Sequence, residues 1–215
     1  MKELVQRIQA VGIVPVVKLG RAEDARVLGR ALRDGGLPIA EITFRTAAAP
    51  DAIRLLRAEF PELLVGAGTV LTIAQADAAI EAGASFAVAP GFNPRIVDHC
   101  LARGLPMVPG VNAPSQVEQG LERGLTFLKF FPAEASGGVP MLKALHGPYA
   151  EVTFMPTGGI DPKNLGTYLA LPYVVAAGGS WMVKEELLAA GKHAELAALC
   201  GEAVRLAASL RAAKK

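Results

Sequence analysis

The chain has 215 residues, 52% of them hydrophobic, and its 22 basic and 20 acidic side chains leave a net charge of +2. The charges are scattered and form no basic stripe with interleaved aromatics, which argues against a nucleic-acid partner. No apolar run is long enough to span a bilayer, and the opening "MKELVQRIQAVGIV" mixes charges at helical spacing, so neither a membrane segment nor a signal peptide is expected.

After that opening, "GIVPVVKL" (12–19) reads as a buried strand and "AEDARVLGRALRDGG" as a helix stopped by Gly35 and Gly36. The strands "IAEITF" (39–44) and "LLVGAGT" (63–69) come next, then the helix "TIAQADAAIEAGA", with Thr72 as N-cap and a stop near Gly83. Strands "FAVAP" (86–90) and "PMVPGV" (106–111) precede "PSQVEQGLERGL", a helix with proline just inside its first turn. Strands "FLKFFPA" (127–133) and "EVTFMPT" (151–157) lead to "DPKNLGTYLAL", read as another proline-opened helix. A last strand, "YVVAAGG" (173–179), is followed by a long amphipathic helix, "KHAELAALCGEAVRLAASLRAAKK", whose basic end reads as a solvated terminus.

Eight apolar runs thus alternate with helical segments and no linker interrupts them. Such alternation implies parallel strands with crossover helices. A single α/β domain over residues 1–215, an eight-stranded TIM barrel, is the expectation, with an open doubly wound sheet as the alternative. Cys100 and Cys200 show no CxxC spacing, as expected of reduced thiols in a cytoplasmic protein.

In a barrel the active site gathers at the carboxyl ends of the strands, and alternate side chains point inward. Glu41, Thr43 and Arg45 share parity, so all three can face the lumen. Lys129 shares parity with Phe127 and Phe131 in an apolar, aromatic run. Burial and a nearby Arg45 both favour its neutral amine, which can attack a ketone to form a Schiff base. Two bland readings stand beside this one. Glu41 and Arg45 could simply pair with each other, and Lys129 could snorkel to the rim. Lys18, which closes the first strand, is the rival nucleophile or a rim residue.

Two glycine turns, "PTGGID" and "AAGGSWM", follow the last two strands. That is where many such barrels hold phosphate on backbone N–H groups, and Ser180 adds a hydroxyl. "GAGTV" lacks the third glycine of a dinucleotide fingerprint, so a Rossmann reading is rejected. His99, His146 and His193 stand alone, and neither a metal site nor a cofactor is expected.

Taken together, "AEITFRT", "VGAGTVL", "APGF", "FLKFFPAE", "PTGGI" and "GGSWM" resemble the 2-keto-3-deoxy-6-phosphogluconate aldolases, in order and spacing, over roughly residues 10 to 205. The resemblance implies a TIM barrel with an extra N-terminal helix, a cytoplasmic homotrimer, and metal-independent class I aldol cleavage of a phosphorylated keto acid. It also implies 4-hydroxy-2-oxoglutarate as a further substrate, with a 6-phosphogalactonate-derived substrate or a non-catalytic phosphosugar-binding trimer as alternatives. By the same resemblance Lys129 is the Schiff-base lysine and Glu41 the general acid/base. Arg45 and Thr69 hold the pyruvyl carboxylate, Phe131 and Pro90 wall the reacting carbons, and Thr157 faces the substrate hydroxyls. Gly158, Gly159, Gly179 and Ser180 match the phosphate turns. Ala89 stands where a serine often precedes Pro-Gly, and "VPGVNAPSQ" replaces a Thr- or Ser-rich version, which leaves the preference among keto acids open.

Overall fold

The computed structural model describes residues 1–212; the last part of the expected basic helix end lies outside the described residues. The fold opens with α1 (Lys2–Val11), which buries Leu4 and Ile8 and ends at Gly12 in the left-handed region, as the expected N-terminal helix. Then β1 (Ile13–Val17), α2 (Asp24–Asp34), β2 (Ile39–Thr43), α3 (Ala49–Glu59), β3 (Leu64–Gly68), α4 (Ile73–Glu81), β4 (Phe86–Val88) and α5 (Pro94–Ala102) alternate. After them come β5 (Met107–Val108), β6 (Gly110–Val111), α6 (Pro114–Leu121), β7 (Phe127–Phe130), α7 (Gly138–His146) and β8 (Thr153–Pro156). The chain closes with α8 (Leu165–Leu169), β9 (Ala177–Gly179), α9 (Glu185–Ala189) and α10 (His193–Ala212).

All strand pairs are parallel. One sheet runs β5-β4-β3-β2-β1-β9 and a second runs β6-β7-β8. Parallel bridges Phe154↔Val174 and Thr157↔Gly178 join β8 to β9, so the ring closes. The barrel reading therefore holds and the open sheet is excluded. β5 and β6 are two halves of one barrel strand, split where Pro109 has no N–H to donate. Each half serves one neighbour: Val88 pairs with Val108, and Gly110 with Lys129. At Gly110 a Cβ would lie 2.1 Å from the Pro90 carbonyl oxygen, so the strand's return past β4 requires glycine.

The strands are shorter than the apolar runs: β4 and β7 give up the trailing residues of theirs to loops, whereas β9 gives up the leading residues 173–176 and ends with its run at Gly179. One helix start is corrected. Pro162 does not open α8. The Asp161 carboxylate accepts from the N–H groups of Lys163 and Asn164, and the Asn164 amide oxygen accepts from Asp161 N. Those side-chain bonds replace the first helical turn, so the helix begins at Leu165. Thr72 caps α4 as expected, its hydroxyl accepting from Gln75 N. Both cysteines are free and buried, and burial pushes Cys100 up to about 11 and Cys200 to about 12. Among the described residues no helix is long and apolar enough to cross a membrane.

Candidate active site

Burial separates this site from the rest of the molecule. Among the described residues the buried polar ones are Asp24, Glu41, Thr43, Lys129 and Thr157. Asp24 bonds to the exposed Arg21, and the other four belong to strands β2, β7 and the end of β8. Desolvating polar groups is costly, so their concentration in one barrel marks a site rather than a packing accident.

Lys129 is 4% exposed and Glu41 is fully buried. The Lys129 Nζ lies 3.2 and 3.5 Å from the two Glu41 carboxylate oxygens. Both bland sequence readings fail here. The lysine does not snorkel outward, and among the described residues Glu41 pairs with Lys129 rather than with Arg45. The amine is not isolated either, because a proton acceptor faces it across the lumen. The Phe131 ring covers the amine, its centroid 5.3 Å from Nζ.

Room for the carboxylate comes from β3. A Cβ on Gly68 would lie 2.4 Å from a Glu41 carboxylate oxygen, and one on Gly66 would lie 2.3 Å from the Phe86 ring. "VGAGT" is thus a clearance for a lumenal side chain, a role the sequence alone did not show. Its last residue, Thr69, has φ 57°, a conformation that non-glycine residues rarely hold and that recurs at functional sites. Among the described residues no hydrogen bond joins Thr69 or Pro90 to Lys129 or Glu41.

Thr43 links the lumen to the rim. Its hydroxyl donates to the Val17 carbonyl at 2.8 Å and accepts from Arg45 Nε at 3.1 Å. Arg45 then opens onto a cleft of about 410 Å³ that is shared with Lys18, Ser180, Trp181 and Lys184. Lys129 and Glu41 do not line that cleft; Arg45, through Thr43 on the strand that carries Glu41, is their link to it. Lys18 bonds Glu185 at 2.9 Å on its edge, a rim residue rather than a buried nucleophile.

Thr157 is buried at the end of β8, and Gly178 lacks the Cβ that would strike its hydroxyl. Gly158 and Gly159 follow at φ 101° and 77°, a turn open to glycine alone. Its carbonyls are all occupied. Thr157 O accepts from Ala133 N, Gly158 O from Glu134 N, and Gly159 O from the Asn164 side-chain amide. The N–H groups of Gly159 and Ile160 donate to no acceptor among the described residues. A Cβ on Gly158 would lie 3.2 Å from the Phe131 ring, which places this turn beside the aromatic that covers Lys129. Gly179 sits under the Trp181 ring, and Ser180 is exposed on the cleft. Among the described residues no cluster of His, Cys, Asp and Glu could hold a metal ion.

Similarity to known proteins bears on this arrangement. A family model described as KDPG and KHG aldolase matches residues 4–199. The 2-dehydro-3-deoxy-phosphogluconate aldolase of Treponema pallidum is 48% identical over 96% of this chain and 98% of its own length. The KHG/KDPG aldolase of Escherichia coli K12 is 44% identical over 89% of this chain and 90% of its own. A crystal structure of KDPG aldolase from Legionella pneumophila, with pyruvate captured as a covalent carbinolamine, superposes with a TM-score of 0.89 at 40% identity. That likeness covers 94% of this chain and 98% of the other.

Proposed function

The chain belongs to the KDPG and KHG aldolase family, and from that footing we propose how its own residues cleave 2-keto-3-deoxy-6-phosphogluconate to pyruvate and glyceraldehyde 3-phosphate. The observation that carries the reading is the desolvated Lys129–Glu41 pair at 3.2 Å. Lys129 is the nucleophile and Glu41 the group that moves protons. When Glu41 holds the shared proton, the amine is free to attack the C2 ketone and form a carbinolamine. Glu41 then protonates the departing hydroxyl, water leaves, and a protonated imine remains. Deprotonation of the C4 hydroxyl, with Glu41 as the base, breaks the C3–C4 bond. The bonding pair flows into the imine to give an enamine, and the aldehyde departs. Protonation at C3 and addition of water release pyruvate and restore the amine. A positioned acid/base of this kind contributes about 10²–10⁴-fold.

Arg45, braced by Thr43 and joined by Thr69, holds the carboxylate of the keto acid. Phe131 and Pro90 wall the reacting carbons, and Thr157 meets the substrate hydroxyls. Gly158 and Gly159, with Gly179 and Ser180 across the adjacent strand end, receive the phosphate. Free N–H groups beside occupied carbonyls suit an anion and repel nothing. 4-Hydroxy-2-oxoglutarate, which shares the keto acid but has no phosphate, is a second substrate. We read the protein as one domain that works as a cytoplasmic homotrimer. Comparing kcat/KM on the two substrates tests the assignment: the phosphorylated one is expected to be preferred through KM. Absence of cleavage of either would overturn it.

A further inference from the structure

Glu134 occupies a position that the catalytic reading leaves unused. It follows the lysine strand, and its backbone N–H donates to Gly158 O at 3.1 Å. Its side chain lies against Gly159, where a Cβ would come within 2.7 Å of the Glu134 Cβ and Cγ. Its carboxylate accepts a hydrogen bond from the Tyr168 hydroxyl, the one partner of its oxygens among the described residues. Tyr168 belongs to α8 and is fully buried. Burial and then the bond to Glu134 push the phenol upward, so it remains a donor throughout the working range of pH. A buried tyrosine thus reaches out of the core to fix an otherwise exposed carboxylate against a two-glycine turn. Gly138 completes the fit, since a Cβ there would crowd both the Glu134 carboxylate and the Tyr168 hydroxyl at 3.3 and 3.4 Å.

That turn needs fixing. Two successive glycines at positive φ can flip the peptide between them at little cost, and a flipped peptide would aim a carbonyl where the anion should meet an N–H. Asn164 restrains the turn from one side through Gly159 O. Glu134 restrains it from the other. We propose that Glu134, held by Tyr168, is the positioning residue that keeps the Gly158–Gly159 turn in its anion-receiving conformation, and so sets selectivity for phosphorylated over unphosphorylated keto acids. This rests on reading the turn as the phosphate site.

The test compares wild type with Glu134→Ala, Glu134→Gln and Tyr168→Phe on both substrates, with inorganic phosphate as a competing anion. Glu134→Ala and Tyr168→Phe raise KM for the phosphorylated substrate and the inhibition constant of phosphate by about tenfold, the loss of one well-made hydrogen bond. KM for 4-hydroxy-2-oxoglutarate and both kcat values stay within about twofold, because the lysine pair is untouched. Glu134→Gln keeps an oxygen to accept from Tyr168 and stays close to wild type. Borohydride trapping of pyruvate in each variant shows that the barrel remains folded around Lys129. If the constants for the two substrates move together, or if only thermal stability changes, Glu134 has no positioning role. If phosphate fails to compete in the wild-type enzyme itself, the turn is not the phosphate site and the inference falls with it.

Discussion

Two lysine–carboxylate pairs flank the mouth of this barrel, and the shorter one matters less. Lys18 and Glu185 stand 2.9 Å apart on the rim, with side chains 42% and 52% exposed. Lys129 and Glu41 stand 3.2 Å apart in the lumen, with side chains 5% and 1% exposed. Water screens the first pair and two long side chains must be held still to form it, so it is worth about 0.2–1 kcal/mol. The second pair has lost its hydration, so removing either partner would leave the other buried without compensation. Distance alone would rank these pairs wrongly. In the proposed mechanism burial makes one ion pair the chemical one and leaves the other as surface.

Substitutions at the inner pair give the largest effects. Lys129→Ala abolishes aldol cleavage in a coupled assay of pyruvate release. It also strands Glu41 in an apolar lumen, so chemical denaturation is expected to show a loss of about 3–5 kcal/mol. The double variant Lys129→Met with Glu41→Gln removes both charges and recovers much of that stability while staying inactive. Recovery of none would mean that the lumen tolerates a lone carboxylate. Glu41→Gln alone leaves slow imine formation with pyruvate and lowers kcat by about 10²–10⁴-fold. A wild-type rate would return Glu41 to a purely structural role.

A subtler variant probes the clearance that shapes the pair. In Gly68→Ala the new methyl would sit 2.4 Å from a Glu41 carboxylate oxygen and must displace it. Misplacement by about an ångström can cost about 10²-fold, so steady-state kcat is expected to fall by that order. At the outer pair, Glu185→Gln shifts unfolding free energy by less than about 1 kcal/mol and leaves kcat within about twofold. An effect there as large as that of Glu41→Gln would erase the distinction between rim and lumen.

Much of this architecture was legible because the barrel strands are apolar on both faces and stand out as runs of Val, Ile and Phe. Strand parity by itself brings Lys129 and Glu41 into one lumen. It could not decide between Lys129 and Arg45 as the partner of Glu41, because parity fixes the face of a strand and not the reach of a side chain. Arg45 had the right parity, yet it lies beyond the end of β2 and turns to Thr43 and the cleft. Gly68 and Glu134 were illegible for a related reason. Each acts on a residue distant in sequence, Gly68 by having no side chain and Glu134 through the backbone of a turn. The start of α8 is not legible in the sequence because the Asp161 and Asn164 side chains bond nearby backbone N–H groups more readily than the segment extends a helix.

The most direct measurement is borohydride reduction in the presence of pyruvate, followed by peptide mass spectrometry. The buried pair predicts one adduct, on Lys129, and none on Lys18 even though Lys18 is far more exposed. An adduct on Lys18, or no adduct in a protein that still cleaves its substrate, would contradict the account.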